Sequence, residues 1–254
     1  MFSYKLMIFM LLCGNIEMAM ADEEAGVLPY RPSVSSPAQL PQEGQLEFEL
    51  GGLSSKSGDA RRDSLPYLFK LAFNPQWGVL IGGEAYVSAR DDSGNRARGI
   101  GDTNLVLKRA FLVDDATAFG LELGSKLPSA KDSIGSGRTD YSLNGIFSKD
   151  MGRLHMDLNL NFTRLGGVDI GTSKVQTGVS SSFSLPIAEQ WGVNFEWSGT
   201  RRTGVDSTSQ LLGAFTYSPS KRMTIDFGVI RGLNNASPDW ALFTGIVVPV
   251  AKLW

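Results

Sequence analysis

Between Leu154 and Thr163 every second residue is apolar. Leu154, Met156, Leu158, Leu160 and Phe162 alternate with His155, Asp157, Asn159, Asn161 and Thr163. A period of two puts the sets on opposite faces of a β-strand, whereas a helix would mix them. About ten residues of tilted strand cross the hydrocarbon of a bilayer. A half-buried strand of a soluble sheet alternates in the same way, and taken alone the segment favours that soluble reading.

The rest of the chain reverses the preference, because the pattern returns about every twenty residues. Leu46, Phe48 and Leu50 alternate with Glu47 and Glu49, and Tyr67, Phe69, Leu71 and Phe73 with Leu68, Lys70 and Ala72. Trp77, Val79, Ile81, Ala85 and Val87 interleave with Gly78, Gly82, Glu84 and Tyr86; Thr103, Leu105, Leu107 and Phe111 interleave with Asp102, Asn104 and Lys108. The next two strands are Phe119, Leu121 and Leu123 against Glu122 and Lys126, and Tyr141, Leu143 and Phe147 against Asp140 and Asn144. After Leu154–Thr163 come Val175 to Leu185, Trp191 to Trp197 with Asn194 and Glu196 on the polar phase, Leu211 to Tyr217, Met223 to Val229 with Asp226, and Trp240 to Trp254. About twelve strands are predicted, in an all-β, antiparallel, up-and-down arrangement.

The connections fall into two kinds that take turns. Short ones (Asn74-Pro75-Gln76, Val113 to Asp115, Lys149 to Gly152, Pro186 to Gln190, Ser218 to Arg222) alternate with longer ones rich in Gly, Ser, Asp and Arg, such as Arg90 to Arg98 and Pro128 to Arg138. Short turns on one rim and long loops on the other are the asymmetry of outer-membrane β-barrels. Aromatic residues on the apolar phase gather at both rims: Phe73, Trp77, Phe111, Phe119, Phe147, Trp191 and Tyr217 by the short turns, and Tyr67, Tyr141, Phe162, Trp197 and Trp240 by the long loops. Such belts mark the two membrane interfaces. The predicted fold is a transmembrane barrel over residues 45–254, placed in the bacterial outer membrane.

Composition narrows the remaining possibilities. Across 254 residues the formal net charge is −2, with no basic footprint for nucleic acid. Lys5, the apolar run Leu6 to Leu12 and Ala19-Met20-Ala21 form a secretory signal, so residues 1–21 are expected to be removed. The single cysteine, Cys13, lies inside that signal and lacks a small residue before it, so no lipid anchor is expected. A mature chain without cysteine, and with only one histidine, argues against disulfides and transition-metal sites, and no cofactor is expected. Residues 22–44 carry Pro29, Pro32, Pro37 and Pro41 without periodicity and read as an extended arm. The sequence leaves open whether it hangs in the periplasm or folds back as a plug.

Twelve tilted strands enclose a lumen about 24 Å across between backbones. The polar phase supplies its expected lining: Glu84, Asp102, Lys108, Glu122, Lys126, Asp140, His155, Asp157, Asn159, Asn161, Glu196 and Asp226. These side chains can pair across the interior and stiffen the barrel, or line a path for a small solute. Catalysis has less support. His155 has Asp157 two residues along the same face, but no nucleophile can be assigned beside it. Ser218-Pro219-Ser220-Lys221 satisfies Ser-x-x-Lys without its companion motifs. Loop arginines, among them Arg61, Arg62, Arg138, Arg164, Arg201 and Arg231, match lipopolysaccharide phosphates, and equally suit ordinary solvated loops.

Arg31-Pro32-Ser33, Gly99-Ile100-Gly101-Asp102, Gly232-Leu233-Asn234 and Ser237-Pro238-Asp239-Trp240, with the aromatic Trp254, resemble the bacterial meta-pathway phenol-degradation family, also described as outer-membrane transporters. The resemblance implies an outer-membrane barrel that passes small, aromatic compounds, and no catalytic residues. An aromatic residue on the apolar phase of the last strand also resembles the signal read by barrel-assembly machinery, although Lys252 departs from it. The expected function is a non-enzymatic channel for small molecules; the alternatives are a lipid-acting barrel enzyme using His155, and a closed barrel with a structural or surface-interaction role.

Overall fold

A computed structural model describes residues 26–254. The expected signal, residues 1–21, and the first residues of the expected arm lie outside the described residues. The strands are β1 (Gln45–Ser57), β2 (Ala60–Asn74), β3 (Trp77–Arg90), β4 (Arg96–Gly99), β5 (Thr103–Asp114), β6 (Thr117–Leu127), β7 (Asp140–Met151), β8 (Leu154–Arg164), β9 (Val175–Pro186), β10 (Trp191–Arg202), β11 (Val205–Ser220), β12 (Met223–Gly232) and β13 (Trp240–Lys252). Consecutive strands pair antiparallel except β4 and β5, β3 pairs with both β4 and β5, and β1 pairs with β13. The sheet closes on itself with twelve wall strands, while β4 is a short addition to the outer end of β3. Closure leaves no open edge, so every wall strand pairs on both sides without water.

Burial is inside out. On β8, Asp157 and Asn159 are buried while Leu158, Leu160 and Phe162 are exposed, Leu160 at 45%. The largest fully buried side chains include Lys70, Lys108, Glu47 and Asp226. Water would penalise this distribution, because apolar area belongs away from it; a bilayer around the barrel removes the penalty. The chain therefore folds as an outer-membrane β-barrel. Aromatic pairs mark the short-turn rim, with Phe119 and Phe147 at 5.2 Å and Trp191 and Tyr217 at 4.8 Å between ring centroids. Arg109, on the lipid-facing phase of β5, lies over Trp77 and Phe111 in that belt. There its charge reaches the headgroup level.

Three expectations need correction. The loop expected at Arg90 to Arg98 contains β4, which continues the β3 ladder from Val87↔Gly99 to Arg90↔Arg96. Two of the outer connections are also tight rather than long: β1 meets β2 through Gly58 and Asp59, and β10 meets β11 through Thr203 and Gly204. Positive φ at Gly58 (56°) and Gly204 (83°) makes these turns possible, and the strands extend instead of the loops. Last, Val87 is fully buried and Tyr86 is exposed, the reverse of the expected phase. Between Ser64↔Val87 and Pro66↔Glu84 the register shifts, so β3 carries an extra residue and its alternation flips.

A lipid-facing charge tests the inverted burial. Leu160→Lys is expected to destabilise folding into lipid vesicles by about 2–4 kcal/mol in urea titrations, the cost of a cation near mid-bilayer, whereas Leu160→Met should leave the midpoint nearly unchanged.

Candidate functional site: a lumen crossed by a strap

Residues 26–44 lie inside the barrel. They enter at the short-turn rim, where the Val27 N–H donates to the Lys221 carbonyl at 2.8 Å, and return to it, where the Gly44 N–H donates to the Ala72 carbonyl at 2.9 Å. The segment is therefore a strap with both ends on one rim, and the Tyr30 hydroxyl ties its limbs by donating to the Gln39 carbonyl at 2.9 Å. Four prolines deny it the regular N–H row of a strand. Many of its remaining N–H groups, from Val27 to Gly44, take partners from the wall.

Wall carboxylates and amides meet that need. The Glu47 carboxylate accepts from the Leu28 N–H (3.1 and 3.2 Å), and Glu49 from the Tyr30 N–H (2.8 Å). Glu196 Oε2 accepts from both Val34 and Ser35 N–H at 2.9 Å, and the Ser35 and Ser180 hydroxyls meet at 2.8 Å. Asn159 binds Ser36 twice, accepting from its N–H at 3.0 Å and donating to its carbonyl at 2.9 Å. Ser148 Oγ accepts from the Ala38 N–H at 2.8 Å.

Two buried lysines grip the strap's aromatic ring. Lys70 Nζ and Lys108 Nζ lie 4.5 and 4.2 Å from the Tyr30 ring centroid. Lys70 is paired with Glu47 (2.9 Å) and Glu49 (2.6 Å) and donates to the Leu28 carbonyl; Lys108 is paired with Glu122 (3.0 Å) and donates to the Pro37 carbonyl (2.5 Å). Each charge thus has a counter-charge, without which its burial would be prohibitive. Burial, and then the nearby carboxylates of Glu122, Glu49 and Glu47, hold the Tyr30 phenol well above its ordinary pKa, so it stays a donor.

Six residues expected to line the lumen converge on the strap and its supports: Lys108, Glu122, Asp157, Asn159, Glu196 and Asp226, the last holding Arg31 at 2.9 Å. Glu122 accepts from Asn144, which also donates to Asn159. Others sit elsewhere. Glu84 pairs with Arg62 at 2.5 Å. Lys126 lies between Asp102 (3.5 Å) and Asp140 (2.7 Å) near the outer rim, where Asp102 accepts the Ala130 N–H and Asp140 the Gly166 N–H, so this trio pins two outer loops. Asn161 accepts from Thr163 and lines an outer chamber of about 280 Å³ with Gln176, Gln210 and Val34.

His155 lies between two acids, with Nδ1 2.6 Å from Asp150 and Nε2 3.1 Å from Asp157. Asp157 also accepts from Ser148 and, at 3.4 Å, from Ser182. A histidine facing a carboxylate at each nitrogen has no free lone pair to serve as a general base.

Tyr30, Arg31, Glu47 and Glu49 are side chains of the candidate site that periodicity did not single out. The glutamates stand on the polar phase of the first strand, so their inward direction was visible; their partners were not, because the arm carries no pattern. The lumen is also less uniformly polar than its phase suggests. Leu212, Ala214 and Phe243 form a buried cluster with Leu53 and Ile230 on the inner wall. On the other side of the strap, toward the short turns, a cavity of about 520 Å³ is lined by Val27, Arg31, His155, Trp191 and Thr216.

No protein-family model and no curated protein sequence matches the chain. Solved structures do. The barrel is similar to an outer-membrane channel from Pseudomonas putida F1, with a TM-score of 0.66 and 12% identity over 91% of this chain and 100% of that one. The NanC porin matches with a TM-score of 0.57 and 9% identity, over 80% of this chain and 100% of that one. The KdgM porin gives 0.56 and 9%, over 81% and 99%. At these identities the likeness establishes the fold of outer-membrane channel and porin barrels.

The strap's position can be captured covalently. Ser35→Cys with Ser180→Cys places two thiols where hydroxyls now meet at 2.8 Å, and a disulfide is expected to form on oxidation. A reductant-sensitive mobility or mass change should appear in the double variant and in neither single one.

Proposed function

We propose that this protein is an outer-membrane channel for small molecules whose passage is governed by the strap. The observation that carries the reading is the hydrogen-bonded strap of residues 26–44, standing between an outer chamber and a cavity on the short-turn side. The strap is held by the wall with space on both sides of it, so it stands where it can admit or exclude a solute. Solutes would pass when the strap shifts.

The chemistry of the walls supports small, amphiphilic solutes. Asn144, Asn161, Gln176 and Gln210 offer amides to a polar group, and the inner cluster of Leu53, Leu212, Ile230 and Phe243 offers an apolar surface. The resemblance to the meta-pathway phenol-degradation family points the same way, toward compounds with an aromatic body and a polar substituent. The names of the similar structures, a channel and two porins, support transport rather than catalysis, as does the double carboxylate clamp on His155. At the outer rim Arg164, Arg201 and Arg231 project on the lipid-facing phase, where lipopolysaccharide phosphates would meet them.

Planar-bilayer recordings and liposome flux on the full chain carrying the Ser35/Ser180 cysteine pair test the reading. Oxidised protein should conduct little, and reduction should raise conductance and solute flux severalfold. Equal, negligible conductance and flux in both states would identify a closed barrel instead. His155→Ala should leave lipid turnover unchanged, and its loss in that variant would favour the enzyme.

A further inference from the structure

One contact of the strap has the form of a receptor site. Arg31 presents Nε to Asp226 Oδ2 at 2.9 Å and Nη2 to Oδ1 at 3.1 Å, a bidentate pair, and Nη2 also donates to the Thr244 carbonyl at 3.2 Å. The Asp226 side chain is only 1% exposed. Asp226, Gly245 and Gly51 occupy one row across β12, β13 and β1. Both glycines face the guanidinium. A Cβ at Gly51 would fall on Nη1 and one at Gly245 on Nε, each with Cζ just beyond, so neither position tolerates a side chain while the group is in place. The result is a flat slot with a buried carboxylate at one side, a carbonyl beside it and bare backbone along the plane. A guanidinium fits all three features.

We propose that the Asp226 slot is a binding site for guanidinium-type cations, filled in the closed barrel by Arg31 as an internal ligand. Arg31 also borders the cavity of about 520 Å³ on the short-turn side, which gives a small cation room to approach the slot. A soluble guanidinium that displaces Arg31 frees the first limb of the strap from its ion pair with the wall. The slot stands on its own geometry; only the consequence for passage rests on the channel reading. An alkylammonium is a poorer match, because its compact charge cannot make the parallel pair of bonds. Tetramethylammonium, with no N–H group, can make none.

The test uses the full chain with Arg31→Ala, which vacates the slot and leaves Asp226 in place. Methylguanidinium at about ten times its dissociation constant should raise the thermal unfolding midpoint in detergent by about 3–6 °C. Tetramethylammonium at equal ionic strength should not, and neither cation should do so in Arg31→Ala/Asp226→Asn. If Arg31→Ala does not fold unaided, the readout becomes refolding yield, which methylguanidinium and not tetramethylammonium should restore. Identical responses to the two cations, in either readout, would overturn the site. A separate recording distinguishes this from the channel reading: methylguanidinium should raise the bilayer conductance of the unmodified protein. Selective stabilisation without any conductance leaves the slot standing and removes the channel; conductance without selective stabilisation does the reverse.

Discussion

Everything in this barrel follows from the cost of an unpaired polar group at bilayer depth. Backbone amides in hydrocarbon have no water to fall back on, so the sheet must close, and β1 meets β13. Closure turns one face of each strand to lipid and the other inward, which is why Leu158 and Leu160 are exposed while Asp157 and Asn159 are buried. The buried side then inherits the same requirement. Charges such as Lys70, Lys108, Glu47 and Asp226 must be paired within the lumen, and the wall alone does not supply every partner.

The strap completes that pairing. It brings N–H donors to Glu47, Glu49 and Glu196, a guanidinium to Asp226, and an aromatic face to the two lysines. Breaking one partner from a buried ion pair typically costs about 3–5 kcal/mol, so the strap is held by a few strong local contacts as well as by packing. Such contacts also define how it can be released. On the proposed channel reading, a solute or ion that offers the wall equivalent donors would exchange with the strap at little net cost. Mere thermal withdrawal would leave carboxylates bare.

The fold was legible because a barrel writes its two environments into alternate residues, and a run such as Leu154 to Phe162 can be read without knowing its neighbours. The pattern failed where the ladder itself is irregular. At Pro66 the missing N–H accompanies a register shift, and the side-chain phase of Tyr86 and Val87 reversed. Loop lengths misled at Gly58 and Gly204, because tight turns let strands run on past the membrane. Within the candidate site, the wall half was visible: Lys108, Glu122, Asn159, Glu196 and Asp226 stand on the inward phase. Which of them serve the strap and which, like Lys126 with Asp102 and Asp140, pin outer loops depends on contacts between distant segments. The arm has no periodicity, so Tyr30 gave no signal of its own and Arg31 stood out only within the Arg31-Pro32-Ser33 motif, with no sign of its partner, and Gly51 and Gly245 could not be told from other inward glycines.

Native-state amide hydrogen exchange of the full chain in bilayer discs addresses the central claim most directly. If the strap is bound to the wall, the amides of Leu28, Tyr30, Val34, Ser35, Ser36 and Ala38 exchange far more slowly than those of a free peptide, approaching the rates of neighbouring wall strands. Exchange at free-peptide rates across these six amides, with the wall strands still protected, would contradict a strap bound across the lumen.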